Sequence, residues 1–197
     1  MSSLPHNALT IKLESTGEQL SMWRTLDANG KQELQMVGCL PSKQPGPPLH
    51  IHFAEDESTE VLAGTMSVAL DGQEFQVGTS ESAFFPKGST HRWWNDGNED
   101  LQFRGVASPA VDLDVYLHSL FDVINSAGAG RPSIFYLAHL MRRHRKTQVA
   151  LEVPAMMQRF GFPLLILVGT LMGKYRGTDW PGCPSRCSGA SLITDDV

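Results

Sequence analysis

Cysteine is scarce in this chain, with only Cys39, Cys183 and Cys187 among 197 residues. An odd, sparse set excludes a disulfide framework as the source of stability. The opening MSSLPHNALT has neither a cationic start nor an apolar core, so no secretory leader is read there and a reducing, cytoplasmic location is expected. A basic excess is also missing: the formal net charge is -5, which provides no field to gather nucleic acid, and there is no helix-turn-helix signature. Long apolar runs are absent too. The longest, FPLLILVGTLMG from Phe162 to Gly173, falls short of the ~20 residues that cross a bilayer and is interrupted by Pro163 and Gly169. No membrane span is expected, and the run reads as a buried helix, with adhesion to a membrane surface left open. No internal repeat is visible.

What remains divides by its punctuation. From Leu9 to about Ala107 apolar and polar residues tend to alternate in short runs between turn signals such as DANGK, PSKQPGPP, LDGQE, PKGST and NDGNED. The spacing predicts an antiparallel sandwich or barrel, with strands near 9–14, 19–25, 32–40, 49–53, 58–70, 73–78, 82–86, 91–95 and 100–107. Asp71-Gly72 is a strong hairpin signal, because tight turns between twisted strands need positive φ. After Pro109 the period lengthens. VDLDVYLHSLFDVINSAG and PSIFYLAHLMRRHRKT read as helices, the second ending in cations as a helix dipole favours. Further helix is expected over 154–159 and 163–175. The cluster RRHRK, Arg142 to Lys146, reads as a solvated last helical turn, with an anion patch as the alternative. The organisation predicted is a β-barrel with N-terminal strands over 1–108, a helical extension over 109–177 packed on the barrel, and a poorly ordered tail over 178–197. Cys183 and Cys187, spaced CxxxC in that tail, are given neither a metal nor a disulfide.

The chemistry concentrates in two stretches. In PPLHIHFAEDESTEVLAG, His50 and His52 share one face of a strand, with Cα atoms about 6.5 to 7 Å apart, and Glu57 follows a short loop that can turn its carboxylate back toward them. In PKGSTHRWWN, His91 follows a tight turn and opens another strand. Three imidazoles and a carboxylate would leave one or two positions open on an octahedral ion.

The spacings HXH(X)4E(X)6G, at His50, His52, Glu57 and Gly64, and PXG(X)2H(X)3N, at Pro86, Gly88, His91 and Asn95, resemble the two motifs of the cupins. The resemblance spans about residues 35–107, and the flanking segments resemble longer single-barrel members with added N-terminal strands and a C-terminal helical extension. Two turn positions depart from the pattern: Gln44 stands where the first motif has a glycine, with Gly46 nearby, and Ser80-Glu81 replaces the glycine-acidic pair of the second. The resemblance implies a mainly β, jelly-roll barrel in which His50, His52, Glu57 and His91 hold one divalent transition metal ion. Iron is favoured, and manganese, nickel, zinc and copper are compatible with the donors.

Strand parity extends the reading. Thr59 and Val61 fall on the face of Glu57, Trp93 on the face of His91, and these are expected to line a substrate pocket. Arg104, if inward, would hold a substrate carboxylate. Glu60 is a possible general base whose parity argues for an outer role. Leu62, Val68 and Leu70 are read as outward, to be covered by the helices or by a second copy in a homodimer. Three functions fit: a metal-dependent oxygenase acting on a small, partly apolar organic molecule, which is preferred; a non-redox lyase, isomerase or cyclase; or a small-ligand binding module without catalysis.

Overall fold

The computed structural model describes residues 4–187. Ten strands precede the helical segment: β1 (Leu9–Lys12), β2 (Gln19–Leu26), β3 (Gln32–Leu40), β4 (His50–His52), β5 (Asp56–Ala63), β6 (Met66–Leu70), β7 (Gln73–Val77), β8 (Ser82–Phe85), β9 (His91–Trp94) and β10 (Leu101–Ser108). After them come α1 (Leu113–Asn125), α2 (Ile134–His144), β11 (Gln148–Ala150), α3 (Phe162–Leu171) and the single turn α4 (Pro184–Cys187). The strands form two antiparallel sheets, β1-β2-β3-β10-β5-β8 and β11-β4-β9-β6-β7. They face each other as a jelly-roll barrel, and the alternation along each strand sends one side chain in two between them. In β10 the pattern is strict: Leu101, Phe103, Gly105 and Ala107 are buried while the residues between them are not. Leu40, Val61, Met66, Val68, Phe85 and Leu101 fill the centre and are essentially inaccessible.

Three sequence expectations change. The run 58–70 is two strands, because Gly64 adopts φ +80 and turns the chain; a Cβ there would lie 2.8 Å from the carbonyl oxygen of Asp100. The residue after that turn restarts the parity, so Val68 points into the core, fully buried, and not outward. Helix is continuous from 155 to 171, with no break before Pro163. A π-turn at Met157–Gly161 absorbs the proline, whose missing N–H and ring would disrupt a regular α-helix.

Part of the segment expected to be a poorly ordered tail is packed, over 180–183: Trp180 is buried among Tyr136, His139 and Tyr175, and the Gly182 N–H donates to Asp122 Oδ2 at 2.8 Å. Breaker residues forbid regular structure without forbidding docking. The rest of the expected tail, 188–197, lies outside the described residues.

Helix α1 is fastened at both ends. Arg24 on β2 makes a bidentate pair with Asp114, both bonds 2.8 Å, and Asn125 accepts from the Glu14 N–H and donates to the Lys12 carbonyl. Its inner face therefore lies over the open end of the barrel. β11 was not anticipated. Its three residues pair with β4, Gln148 opposite His52 and Ala150 opposite His50, so the helical extension returns to complete the sheet that carries the histidines.

Candidate metal centre

The four residues sit on three strands. His50 and His52 lie on β4, His91 lies directly opposite His50 on β9, and Glu57 reaches across from β5 in the other sheet. The approach of β9 depends on a glycine. Gly46 holds φ +62, and a Cβ on it would stand 2.2 Å from the Trp93 carbonyl oxygen. Asn95, the last residue of the second motif, is buried and donates its amide to the carbonyls of Leu40, Pro41 and Glu99, which fixes the loop after β9.

One donor atom from each of His50, His52, Glu57 and His91 lies within 4.8 Å of all the others. Two donors trans to each other across one ion are separated by about 4.2 Å, so the cluster is close to a coordination shell. Its polar bookkeeping points the same way. His50 Nδ1 contacts the Pro48 carbonyl oxygen at 2.7 Å and so carries the proton, leaving Nε2 as a lone pair 3.0 Å from His52 Nε2. His52 Nε2 and His91 Nε2 stand 3.6 and 3.8 Å from Glu57 Oε2, too far to hydrogen-bond, and buried His91 Nε2 has no partner. Lone pairs and a carboxylate oxygen gathered in a dry site repel unless something cationic lies among them. The cluster suits a metal ion.

Electrostatics keep the donors in ligating form. Burial, reinforced by His91 and His52, pushes His50 down to about 3, and burial likewise lowers His52. Burial works to raise Glu57, but the facing imidazoles of His91, His52 and His50 outweigh it and hold the carboxyl below its ordinary range. Behind His52 lies Glu55, fully buried in the loop between β4 and β5. Its Oε1 accepts the Val111 N–H at 2.8 Å, while Oε2 stands 3.9 Å from His52 Nδ1, and neither of those last two atoms has a hydrogen-bond partner.

His50, His52 and Glu57 open onto a cavity of about 170 Å³. Its walls are mostly apolar: Met36, Trp93 and Phe103 from the barrel, and Leu113, Leu117, Leu120, Phe121 and Ile124 from α1. Three polar groups join them. Tyr116 is held protonated by burial, its pKa pushed up to about 12; Glu18 is pushed up to about 7 by burial; Gln148 has an unpartnered buried Nε2. The helical extension is therefore a wall of the cavity.

Of the expected pocket residues, Trp93 lines the cavity. Thr59 and Val61 point inward and are buried, but Phe103 and Met36 stand among the lining groups and they do not. Arg104 is not inward, so its conditional pocket role falls away, and Glu60 takes the outer place its parity indicated and not that of a general base. Side chains on β10 and β5 at those positions project from the outer face, half exposed, where the two approach each other at 3.8 Å. Glu60 has no access to the ligands and Arg104 none to the cavity. Reasoning on strands missed Glu18, Tyr116 and Gln148, because they come from a turn, a helix and a strand outside the two motifs. Only the helical period of α1 carried a usable hint.

Comparison with protein families agrees with this geometry. The family model described as "Cupin domain" matches residues 36–115. "Oxidoreductase iacF" of Pestalotiopsis fici is 36% identical over 72 residues, 35% of this chain and 35% of that protein. "Probable oxidoreductase virH" of Hypocrea virens is 33% identical over 67 residues, 32% of this chain and 31% of that one. The matched stretch thus spans about a third of each curated relative. Among solved structures, KdgF from Halomonas sp. superposes with a TM-score of 0.45 at 17% identity, over 57% of this chain and 97% of that one. An RmlC-like cupin from Shewanella frigidimarina gives 0.45 at 17% identity, over 55% of this chain and 89% of its own. With both ligand-bearing motifs inside the matched region and converging in one barrel, residues 36–115 are a cupin domain.

Proposed function

We propose that this protein is a metal-dependent oxidoreductase, an oxygenase, acting on a small and partly apolar organic molecule. The observation that carries the reading is the convergence of three imidazoles and one carboxylate, with three of the four donors, His50, His52 and Glu57, lining an apolar cavity. His50, His52, Glu57 and His91 would hold the ion, and iron suits this donor set. A redox-active ion with open positions supplies dioxygen activation there. The oxidoreductase names of the two fungal relatives support the same class.

The chain's own groups do the rest. The apolar side chains of α1 and the barrel bind the hydrocarbon part of the substrate and exclude water from the donors. Trp93 offers a flat wall, and its ring meets Phe103 edge-on at 4.9 Å, which holds both in place. The Gln148 amide and the Tyr116 hydroxyl are donors for a substrate oxygen. Purified protein with its metal content measured should consume oxygen in step with product when given candidate aromatic, polyketide-like or terpenoid substrates. Unchanged turnover in an anaerobic chamber, or full activity with a redox-inert ion, would refute the oxygenase.

Glu18 favours a second reading, a non-redox lyase, isomerase or cyclase. A carboxyl poised at about 7 inside the cavity can both accept and return a proton at neutral pH. Glu18→Gln would then abolish turnover, whereas an oxygenase that uses Glu18 only as wall would keep its kcat. Two copies of the chain would pair through the outer face of the six-stranded sheet, where Trp23, Val37 and Leu62 line an open hollow of about 690 Å³. A light-scattering mass near 21.6 kDa at micromolar concentration would refute the dimer.

A further inference from the structure

The helix expected to be buried is the most exposed apolar element among the described residues. Along the helical run 155–171, Met156, Phe160, Leu164, Leu167 and Leu171 recur every three or four residues and so share one side. They are between 57% and 77% exposed. The opposite side is accounted for, since Phe162 is buried and Gly169 lies under the Tyr175 ring. At 17 residues the run is about 26 Å long. No helix of the described residues is long and apolar enough to cross a membrane. The exposed stripe is nonetheless far more apolar than a solvated face needs to be.

Charge around the stripe has one sign. From Arg131 to Arg176 the chain has eight Lys and Arg residues against the one carboxylate of Glu152, a local net of +7 in a protein whose total is -5. Four of those cations, Arg142, Arg145, Lys146 and Arg159, line a groove of about 550 Å³ between α2, β11 and the helical run, with Leu151 and Phe162 among its apolar walls. Among the described residues no carboxylate pairs with any of the four. An apolar stripe beside an unneutralised cationic groove is the arrangement that lies in a membrane interface, apolar side chains in the acyl region and cations at the phosphates.

We propose that the helical run 155–171 and the adjoining cationic groove are a docking surface for an anionic phospholipid membrane, which the protein touches along one side without spanning. A second copy fits this surface poorly, because a two-fold pair would bring two sets of the four groove cations together. The cavity of the metal centre is lined by α1 and the barrel, with β11 shared between it and the groove, so apolar substrates dissolved in a membrane would find the protein already at their phase.

The test is sedimentation of the full chain with vesicles of phosphatidylcholine alone and of phosphatidylcholine mixed three to one with phosphatidylserine. The protein should pellet with the anionic vesicles, and raising the salt should release it. Each cation neutralised among Arg142, Arg145, Lys146 and Arg159 should weaken binding about five-fold. The triple variant Leu164→Gln, Leu167→Gln, Leu171→Gln should stay in the supernatant while retaining the metal content of the unaltered protein, which separates loss of docking from loss of fold. Protein that ignores both kinds of vesicle overturns the proposal. So does a dimer that the triple variant dissociates in the absence of lipid, since the stripe would then be a subunit interface.

Discussion

Glu55→Gln is the most discriminating single change at the metal centre. If His52 gives its Nε2 to an ion, its proton resides on Nδ1, and Glu55 Oε2, 3.9 Å away, is an acceptor for that proton. Both atoms are buried without partners, and an approach of about 1 Å would complete a charge-assisted bond. Such a bond is worth about 1.5 to 3 kcal/mol, or roughly ten- to a hundred-fold in metal affinity, the range in which outer carboxylates act on ligating histidines. Glutamine keeps an oxygen for the Val111 N–H but can present an amide donor toward His52 Nδ1. That selects the tautomer with its proton on Nε2, where the ion belongs. Glu55→Gln should therefore cost affinity by that factor while the metal-free variant melts near the unaltered protein, and Glu55→Leu should lose both. The assay is competitive titration with cobalt or zinc against a chromophoric chelator, with thermal melts of the metal-free proteins. Glu55→Gln binding as tightly as the unaltered protein would show that His52 needs no orienting carboxylate.

Other outcomes are expected at separate sites. His91→Ala or His52→Ala should each remove one equivalent of bound metal, read by elemental analysis of the purified protein; full occupancy in either would count against the ligand set. Gly46→Ala forces a side chain into positive φ and to 2.2 Å from a backbone carbonyl, so it should cost upward of about 2 kcal/mol. In a chain of this size that is a drop of about 4 to 8 °C in Tm. Glu18 has a usual value of 4.5 and a folded value of about 7, so between these pH values the native state holds a proton that the unfolded chain has lost. Stability should fall as pH rises through that window, and Glu18→Gln should flatten the slope in denaturant titrations. Asp112 behaves oppositely: burial raises it, but His144 at 2.6 Å holds it below its usual value, so its contribution is present near neutrality and lost in acid. Asp112→Asn should remove that acid-side loss.

Much of the barrel was legible because a strand's period of two is written residue by residue. The alternation along β10 and the parity that groups Glu57 with Thr59 and Val61, or His91 with Trp93, needed no tertiary information. Errors arose where a single residue resets the parity or the register. Gly64 looked like the end of a motif and is also the turn that makes two strands of one, which moved Val68 from outside to inside. Pro163 looked like a helix boundary, and a π-turn accommodates it within one run. Three residues of β11 are too few to show a period, and only their pairing with His50, Ile51 and His52 makes them a strand.

The sequence by itself determined the identity and spacing of four ligands, since each pair or turn is local: two histidines one residue apart, a carboxylate after a short loop, a third histidine after a tight turn. Tertiary structure decided what surrounds them. Glu18, Tyr116 and Gln148 come within reach of one cavity only because α1 is clamped by Arg24 and Asn125 and β11 returns to the sheet, contacts between residues distant along the chain. It also decided which side of an apolar helix faces water, because a helix that is apolar nearly all round has no periodic signal from which burial can be read.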